Sequence, residues 1–327
     1  MKAFVHERGE LKLKVMEDPT AKEGQVVVAI RSAGLNRRDL YIPDRRGNEG
    51  DALILGSDGA GVIHLIGQGV KGFTVGDEVI INPALRWYDN SDAPPESFDI
   101  LGMPDHGTFA GKIAISVEQV EKKPKHLSWE EASVVALSGL TGYRALFTKG
   151  NVKKGDTVFI PAAGSGVSSF LIPFAKNVGA KVIVTSRSEE KRKRALEIGA
   201  DIALDTNSDW LKELADETID LVIESVGRAT FNRSLDVLKK GGRIVIFGAT
   251  TEDVVDFDLR KFFYGQYQLF GSTMGSREEL RSMLAHMEEF NMTPVVDCAF
   301  ELNQVQDAFD YLKEGKQFGK IALRISE

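Results

Sequence analysis

The sequence predicts an α/β chain: a doubly wound, Rossmann-type parallel sheet inserted into a β-rich domain. Three observations lead there. The N-terminal third carries short apolar runs closed by glycines. From Gly155 to Gly248, strand-like and helix-like segments alternate, the punctuation of βαβ units. Beyond residue 274 the alternation gives way to separate helix and strand signals. The expected division is therefore residues 1–123 and 275–327 for the first domain and 124–274 for the second.

Taken in order, QVVVAIRSAG, ILGSDGAGVIHLIG, GDEVIINP and GTFAGKIAIS have strand length and adjoin Gly, Asn, Asp or Pro, residues that close strands. Between Pro83 and Gly107, Arg86-Trp87-Tyr88 and Pro94-Pro95 show no period, and a long loop is expected. Ser128 precedes an apolar run and Glu131 follows three positions later, a capping box that starts a helix. TVFIPA reads as a strand, and the helix after it runs through Ala175 to a stop at Gly179. KVIVTS, EEKRKRALEIG and DIALD follow as strand, helix and strand; DWLKELA, IDLVIES, FNRSLDVLKK and RIVIFG continue the pattern. The tail reads as helix REELRSMLAHMEEF, strand VVDCAFEL, helix NQVQDAFDYLKEG and strand KIALRI.

With 327 residues, 43% hydrophobic and 27% charged, the chain can bury a large core. A net charge of -7 gives no general attraction to nucleic acid or anionic membrane, so a small molecule is the expected partner. The opening MKAFVHERGELKLKV lacks the apolar segment of a secretory leader, no later run has membrane-spanning length, and a cytoplasmic protein is expected. The single cysteine, Cys298, excludes an intramolecular disulfide and a cysteine metal cluster, and is expected as a buried thiol.

The segment FIPAAGSGVSSF lies where a strand hands over to a helix, the place where small residues and free amides hold a dinucleotide pyrophosphate. Ala163, Gly164, Ser165, Gly166, Val167 and Ser168 are its candidate contacts; a tight turn with no ligand is the alternative. An NAD site would end the next strand in Asp or Glu, to hold the ribose hydroxyl. Here it ends Thr185-Ser186-Arg187-Ser188, with Lys191 beyond. A hydroxyl and cations suit a 2′-phosphate, so Ser186, Arg187 and Lys191 point to NADP(H). The rest of the run Lys191-Arg192-Lys193-Arg194 reads as a solvated helix face. At later strand ends, the small residues around Val226, Gly248, Ala249, Gly271 and Ser272 are expected to line the cofactor.

The ordered set Ser32-Ala33-Gly34-Leu35-Asn36-Arg37-Arg38-Asp39, LGSDGAGVI, VGDEVI, LSGLTGYRAL, the glycine loop, IESVG and GGRIVIFG resembles the medium-chain dehydrogenase/reductase superfamily over essentially the whole chain. The resemblance implies that the β-rich domain is GroES-like and built from both chain ends, with the Rossmann domain between them. Zinc-dependent members place Cys where this chain has Asn36, His-Glu where it has Ser57-Asp58, and a third ligand near Leu137; the four-cysteine zinc lobe is missing too. Both zinc sites are therefore rejected, and no metal is expected. His6, His64, His106, His126 and His286 are scattered without ligand spacing.

What remains is similar to zinc-free quinone oxidoreductases and NADPH-dependent enone or enoyl reductases; the alternatives are a zinc-free alcohol or aldehyde dehydrogenase and an NADPH-binding protein with little catalytic activity. By that resemblance Asn36 and Tyr41 lie near the nicotinamide, Thr141 beside the cofactor, and Lys320, in Phe318-Gly319-Lys320, near the cofactor crevice. Hydride arriving at an unsaturated carbonyl leaves charge on oxygen, and Tyr41 is the expected donor to it, with Asn36 as orienter. Asp39 is expected to brace the loop, and Asp58 either to act in acid–base chemistry or to fix the loop. Arg37-Arg38 departs from the Pro-containing dipeptide common in quinone reductases. The edge-like FFYGQYQLFGST implies, by the same resemblance, a homodimer.

Overall fold

In the computed structural model, which describes residues 1–48 and 50–325, the chain separates into two units: Met1–Leu140 with the stretch from Gly275 onward, and Thr141–Met274. The first crossing falls after Leu140 rather than after residue 123. The reason is packing: the short helix Trp129–Ala132 lies against the strands Gln25–Gly34, Asp58–Ile66 and Lys320–Arg324 of the first unit. Ser128 caps it with the expected reciprocal bonds to Glu131.

The second unit is a six-stranded parallel sheet. Its spatial order is Ile202–Asp205, Lys181–Ser186, Thr157–Ile160, Ile219–Glu224, Leu238–Ile246 and Gln268–Gly271. In chain order that is 3-2-1-4-5-6, the doubly wound arrangement whose ligands sit beyond the carboxyl ends of the strands. The runs VFI and VIV are continuous rather than alternating because Val158, Phe159, Val182, Ile183 and Val184 are all fully buried, as a sheet covered on both faces requires. The segment FNRSLDVLKK divides: the helix stops at Val237, and Leu238 enters the sheet opposite Ile219. Pairing there outweighs the helical pattern of the sequence.

The first unit carries a seven-stranded sheet whose path runs Val120–Lys122, Glu78–Ile81, Asp58–Ile66, Gln25–Gly34, Lys320–Arg324 and Val296–Glu301; Lys112–Ser116 also pairs Gln25–Gly34. Its core is assembled from Val26, Val28, Ile30, Ile63, Val79, Ile81 and, from the far end of the chain, Phe309 and Leu323. The alternation in MKAFVHERGELKLKV resolves into the hairpin Lys2–Glu7 with Glu10–Val15. The loop between Pro83 and Gly107 contains a small ladder, Ala84–Leu85 with Asp99–Ile100, and buries Trp87. Two-residue strands carry no period, so sequence reading misses them. Cys298 is half-buried rather than buried, packed against this core, and burial pushes its thiol up to about 11. Among the described residues no helix is long and apolar enough to cross a membrane.

Candidate active site

Strand register gathers distant residues at one corner of the first unit. Gly34 pairs with Asp58 on one side and with Ala322 on the other, so the ends of three strands meet there. Only glycine fits: a Cβ on Gly34 would stand 2.6 Å from the Ser133 carbonyl oxygen. The chain leaves this point through Asn36 into a 3-10 turn, Arg37–Tyr41, which Asp39 braces by accepting the Asn36 amide at 2.8 Å. Asp39 is fully buried, its second oxygen has no partner, and desolvation raises its pKa to about 6 against the pull of Arg38.

At the centre stands Lys320, 3% exposed. Its ammonium donates to the Leu35 carbonyl at 2.8 Å, Asn36 Oδ1 at 2.5 Å, Ser138 Oγ at 3.1 Å and Asp58 Oδ2 at 3.4 Å. Asp58, fully buried, also accepts Asn36 Nδ2 at 2.9 Å and the Leu137 amide at 2.7 Å. Burial holds the Lys320 pKa below its ordinary value, opposed by the Asp58 and Asp39 charges. The cluster is thus a closed network in which both groups of the Asn36 amide are committed.

This placement sharpens the sequence reading. Lys320 is enclosed with Asn36 and Asp58, because its strand begins alongside the end of Gln25–Gly34. Asp58 is a fixing carboxylate, with oxygens turned to a lysine, an amide side chain and a backbone amide. Tyr41 is not brought in: it is 45% exposed and donates to none of these groups. Ser138, which completes the cluster, was missed; a serine within an apolar helix carries no signal by itself.

The donor set does not fit zinc. It offers an amide, a hydroxyl and one carboxylate around a resident ammonium, whose charge repels a divalent cation. Among the described residues no group of three or more His, Cys, Asp or Glu forms a metal cluster.

Beside the cluster, Ser57 Oγ and the Leu101 carbonyl both accept from Arg38 Nη1, at 2.5 and 2.8 Å. Arg38 is half-buried, a position the sequence flagged only as a departure.

The second unit is built differently. Gly164 takes φ +93, a left-handed conformation that glycine adopts without strain. The Ala163 amide is tied to the Thr185 carbonyl at 2.8 Å, and Ser165 Oγ accepts the Ser168 amide at 3.0 Å. The amides of Gly166 and Val167, just ahead of the helix Ser168–Val178, donate to no acceptor among the described residues. Free amides at a helix start on the carboxyl edge of a parallel sheet fit a phosphate. Space is present as well: a Cβ on Gly271 would meet nothing within 4 Å, and the buried Ser272 Oγ has no partner.

The other candidates on this edge are small or open. Gly248 and Ala249 follow the strand Leu238–Ile246. The Val226 amide donates at 2.7 Å to Glu224, a fully buried carboxylate that also accepts from Gly227, Thr230 and Ser234. Glu224 was missed as the anchor of this turn; an acid closing a buried strand just before Ser-Val-Gly was the available signal. Ser186 is buried at its strand end and Arg187 beside it is exposed. The Lys191 amide is capped by Ser188 Oγ, while Arg192 lies across the strand end, donating to the Ser186 carbonyl and pairing with Asp205. Thr141 is buried in the helix Ala136–Tyr143.

Two family models match: the alcohol dehydrogenase GroES-like domain over residues 22–125 and the zinc-binding dehydrogenase domain over 166–289. The chain is 30% identical to the zinc-type alcohol dehydrogenase-like protein YogA of Leptosphaeria maculans, covering 96% of this chain and 94% of that one. It is 29% identical to acryloyl-coenzyme A reductase of Sulfurisphaera tokodaii, over 96% of each. Among solved structures, an NAD-dependent alcohol dehydrogenase superposes with a TM-score of 0.91 at 33% identity and full coverage of both chains. With both domains matched and the 3-2-1-4-5-6 sheet in place, the chain belongs to the medium-chain dehydrogenase/reductase superfamily.

Proposed function

We propose that this protein is an NADPH-dependent oxidoreductase that delivers hydride, without zinc, to a quinone, an enone or another α,β-unsaturated carbonyl compound. The observation that carries the reading is the Lys320 ammonium enclosed by Asn36, Asp58 and Ser138, a fixed charge amid a donor set unsuited to zinc. Dehydrogenating a simple alcohol calls for a metal or a free base to take its proton. Asp58 is buried and already engaged, so it is not such a base. Addition of hydride to a conjugated acceptor needs the substrate held and charge on its oxygen stabilised by fixed donors.

NADPH, when bound, supplies the hydride. The chain's own contributions follow from its edges. Gly164, Ser165, Gly166, Val167 and Ser168 hold the pyrophosphate. Ser186, Arg187 and Lys191 hold the 2′-phosphate, where a strand-end carboxylate would repel it. Val226, Gly248, Ala249, Gly271 and Ser272 line the remainder. In the first unit, Lys320 and Asp58 position Asn36. The acryloyl-coenzyme A reductase relative supports an unsaturated substrate.

A homodimer and a cytosolic location belong to the same reading. The strand Gln268–Gly271 is a sheet edge, and Leu259, Phe263, Tyr264 and Leu269 around it are 43–69% exposed, an apolar patch that a second copy would cover. Light scattering should give twice the chain mass.

The test is titration of chelator-treated protein with NADPH and NADH in parallel, followed by NADPH oxidation with enones and quinones. Tighter NADPH binding and chelator-resistant enone reduction are expected. Equal cofactor affinities, or zinc-dependent oxidation of simple alcohols, would overturn the assignment.

A further inference from the structure

Arg38 has a pinned edge and an open edge. Nη1 spends both its hydrogens on Ser57 Oγ and the Leu101 carbonyl, and Ser57 Oγ itself donates to that carbonyl at 2.7 Å. This triangle fixes the guanidinium plane. The opposite edge, Nε with Nη2, has no hydrogen-bond or ion-pair partner among the described residues. A half-buried guanidinium with one edge locked and the other presented is preorganised for two coplanar oxygens, which an ammonium could not match.

Charge around it favours an anion. Arg45 lies close enough to depress the Arg38 pKa, after burial and against Asp39, and it too has no acidic partner among the described residues. Two carboxylates lie in range, but neither closes an ion pair with Arg38: Asp58 is engaged with Lys320, and burial pushes Asp39 up to about 6. Three cations, Arg38, Arg45 and Lys320, thus face two carboxylates in a protein of net charge -7. Ser57 adjoins Asp58, so the open edge belongs to the same corner of the first unit as the Asn36–Lys320 cluster.

We infer that Arg38 is a specificity residue that binds a carboxylate on the substrate, so that the unsaturated carbonyl compound reduced here is an anionic one. The inference rests on the proposed reduction of a conjugated acceptor. The competing source of an oxyanion is the cofactor's own phosphates.

A matched pair of probes separates these cases: trans-3-acetylacrylate and 3-penten-2-one, the same enone with and without a carboxylate. In the NADPH-loaded enzyme, acetylacrylate should have the lower KM by tenfold or more. Arg38→Gln should raise its KM by at least tenfold, while leaving the KM for pentenone and the NADPH Kd within twofold. Arg38→Lys should restore part of the loss, since charge returns without the fork. Equal losses on both enones, or a weakened NADPH Kd, would overturn the assignment. A second readout does not need turnover: levulinate, the saturated acid, should bind the NADP+ complex of the wild type and at least tenfold more weakly that of Arg38→Gln. If neither enone is reduced but levulinate shows this dependence, the reductase reading fails and the carboxylate site stands. If levulinate binds both proteins alike, the carboxylate site fails.

Discussion

At Lys320 every donor finds an acceptor inside the protein, whereas at Gly166 and Val167 the amides find none among the described residues. The first region is a set of long polar side chains drawn from four places in the sequence and sealed below solvent. The second is nearly all backbone and small residues, contributed by one strand–turn–helix passage whose leading amides keep no acceptor among the described residues. A buried ion pair must be fully satisfied to be tolerated, while a phosphate cradle must stay unsatisfied until its ligand arrives. The two regions should therefore respond to mutation in opposite ways, one through folding and the other through binding.

The largest effect should come from Lys320→Met. It leaves the Asp58 carboxylate buried without its cation and should lower stability by about 3–5 kcal/mol in urea unfolding. Adding Asp58→Asn should recover part of that loss, because the unpaired charge is then gone. A neutral Lys320→Met would break the comparison at its first term.

Gly164→Val tests the other side. At φ +93 a β-branched residue is strained, which would displace the backbone amides proposed to hold the phosphates. Calorimetry should show NADPH affinity falling roughly 100-fold, about 2.7 kcal/mol, with the melting temperature moving by only a few degrees. Loss of folding without loss of affinity in the folded fraction would reverse the assignment of roles.

Next comes Asp39, whose carboxyl is pushed up to about 6 by burial. A raised folded pKa means that the protonated form is favoured by folding; that stabilisation is complete below the unfolded value near 4 and is lost as pH rises through about 6. Asp39→Asn should therefore gain stability relative to the wild type on going from pH 4 to pH 8, on the order of 2 kcal/mol in paired denaturation curves. A constant difference across that range would show that Asp39 does not titrate there.

Smallest is Arg187→Ala, on an exposed side chain just beyond the strand Lys181–Ser186. NADPH binding should weaken roughly tenfold, about 1.4 kcal/mol, with NADH unchanged. Equal weakening of both cofactors would mean that Arg187 touches a group they share.

Sequence legibility tracked the same division. The strand–turn–helix order around the glycine loop and the later strand ends could be read directly, because a Rossmann edge is local: a buried strand, a tight turn and a helix start follow one another in the chain. The Asn36 corner was legible only as a loop with an Asn and an Asp. Nothing near Asn36 announces Ser138, and nothing near Lys320 announces Asp58, since these residues meet across strand pairings between opposite ends of the chain. Tyr41, at the end of the 3-10 turn, is 45% exposed and stands outside the buried cluster, which no local pattern announces.

By itself the sequence determined the two kinds of domain, the glycine turn between strand and helix and the lack of zinc-type ligands, since all three are written in local order and residue type. Tertiary structure alone decided that Lys320 serves the Asn36–Asp58 cluster, that Arg38 keeps one edge open, and that residues 124–140 fold with the first unit. Those outcomes depend on register and burial, which are set by long-range strand pairing and desolvation rather than by neighbours in the chain.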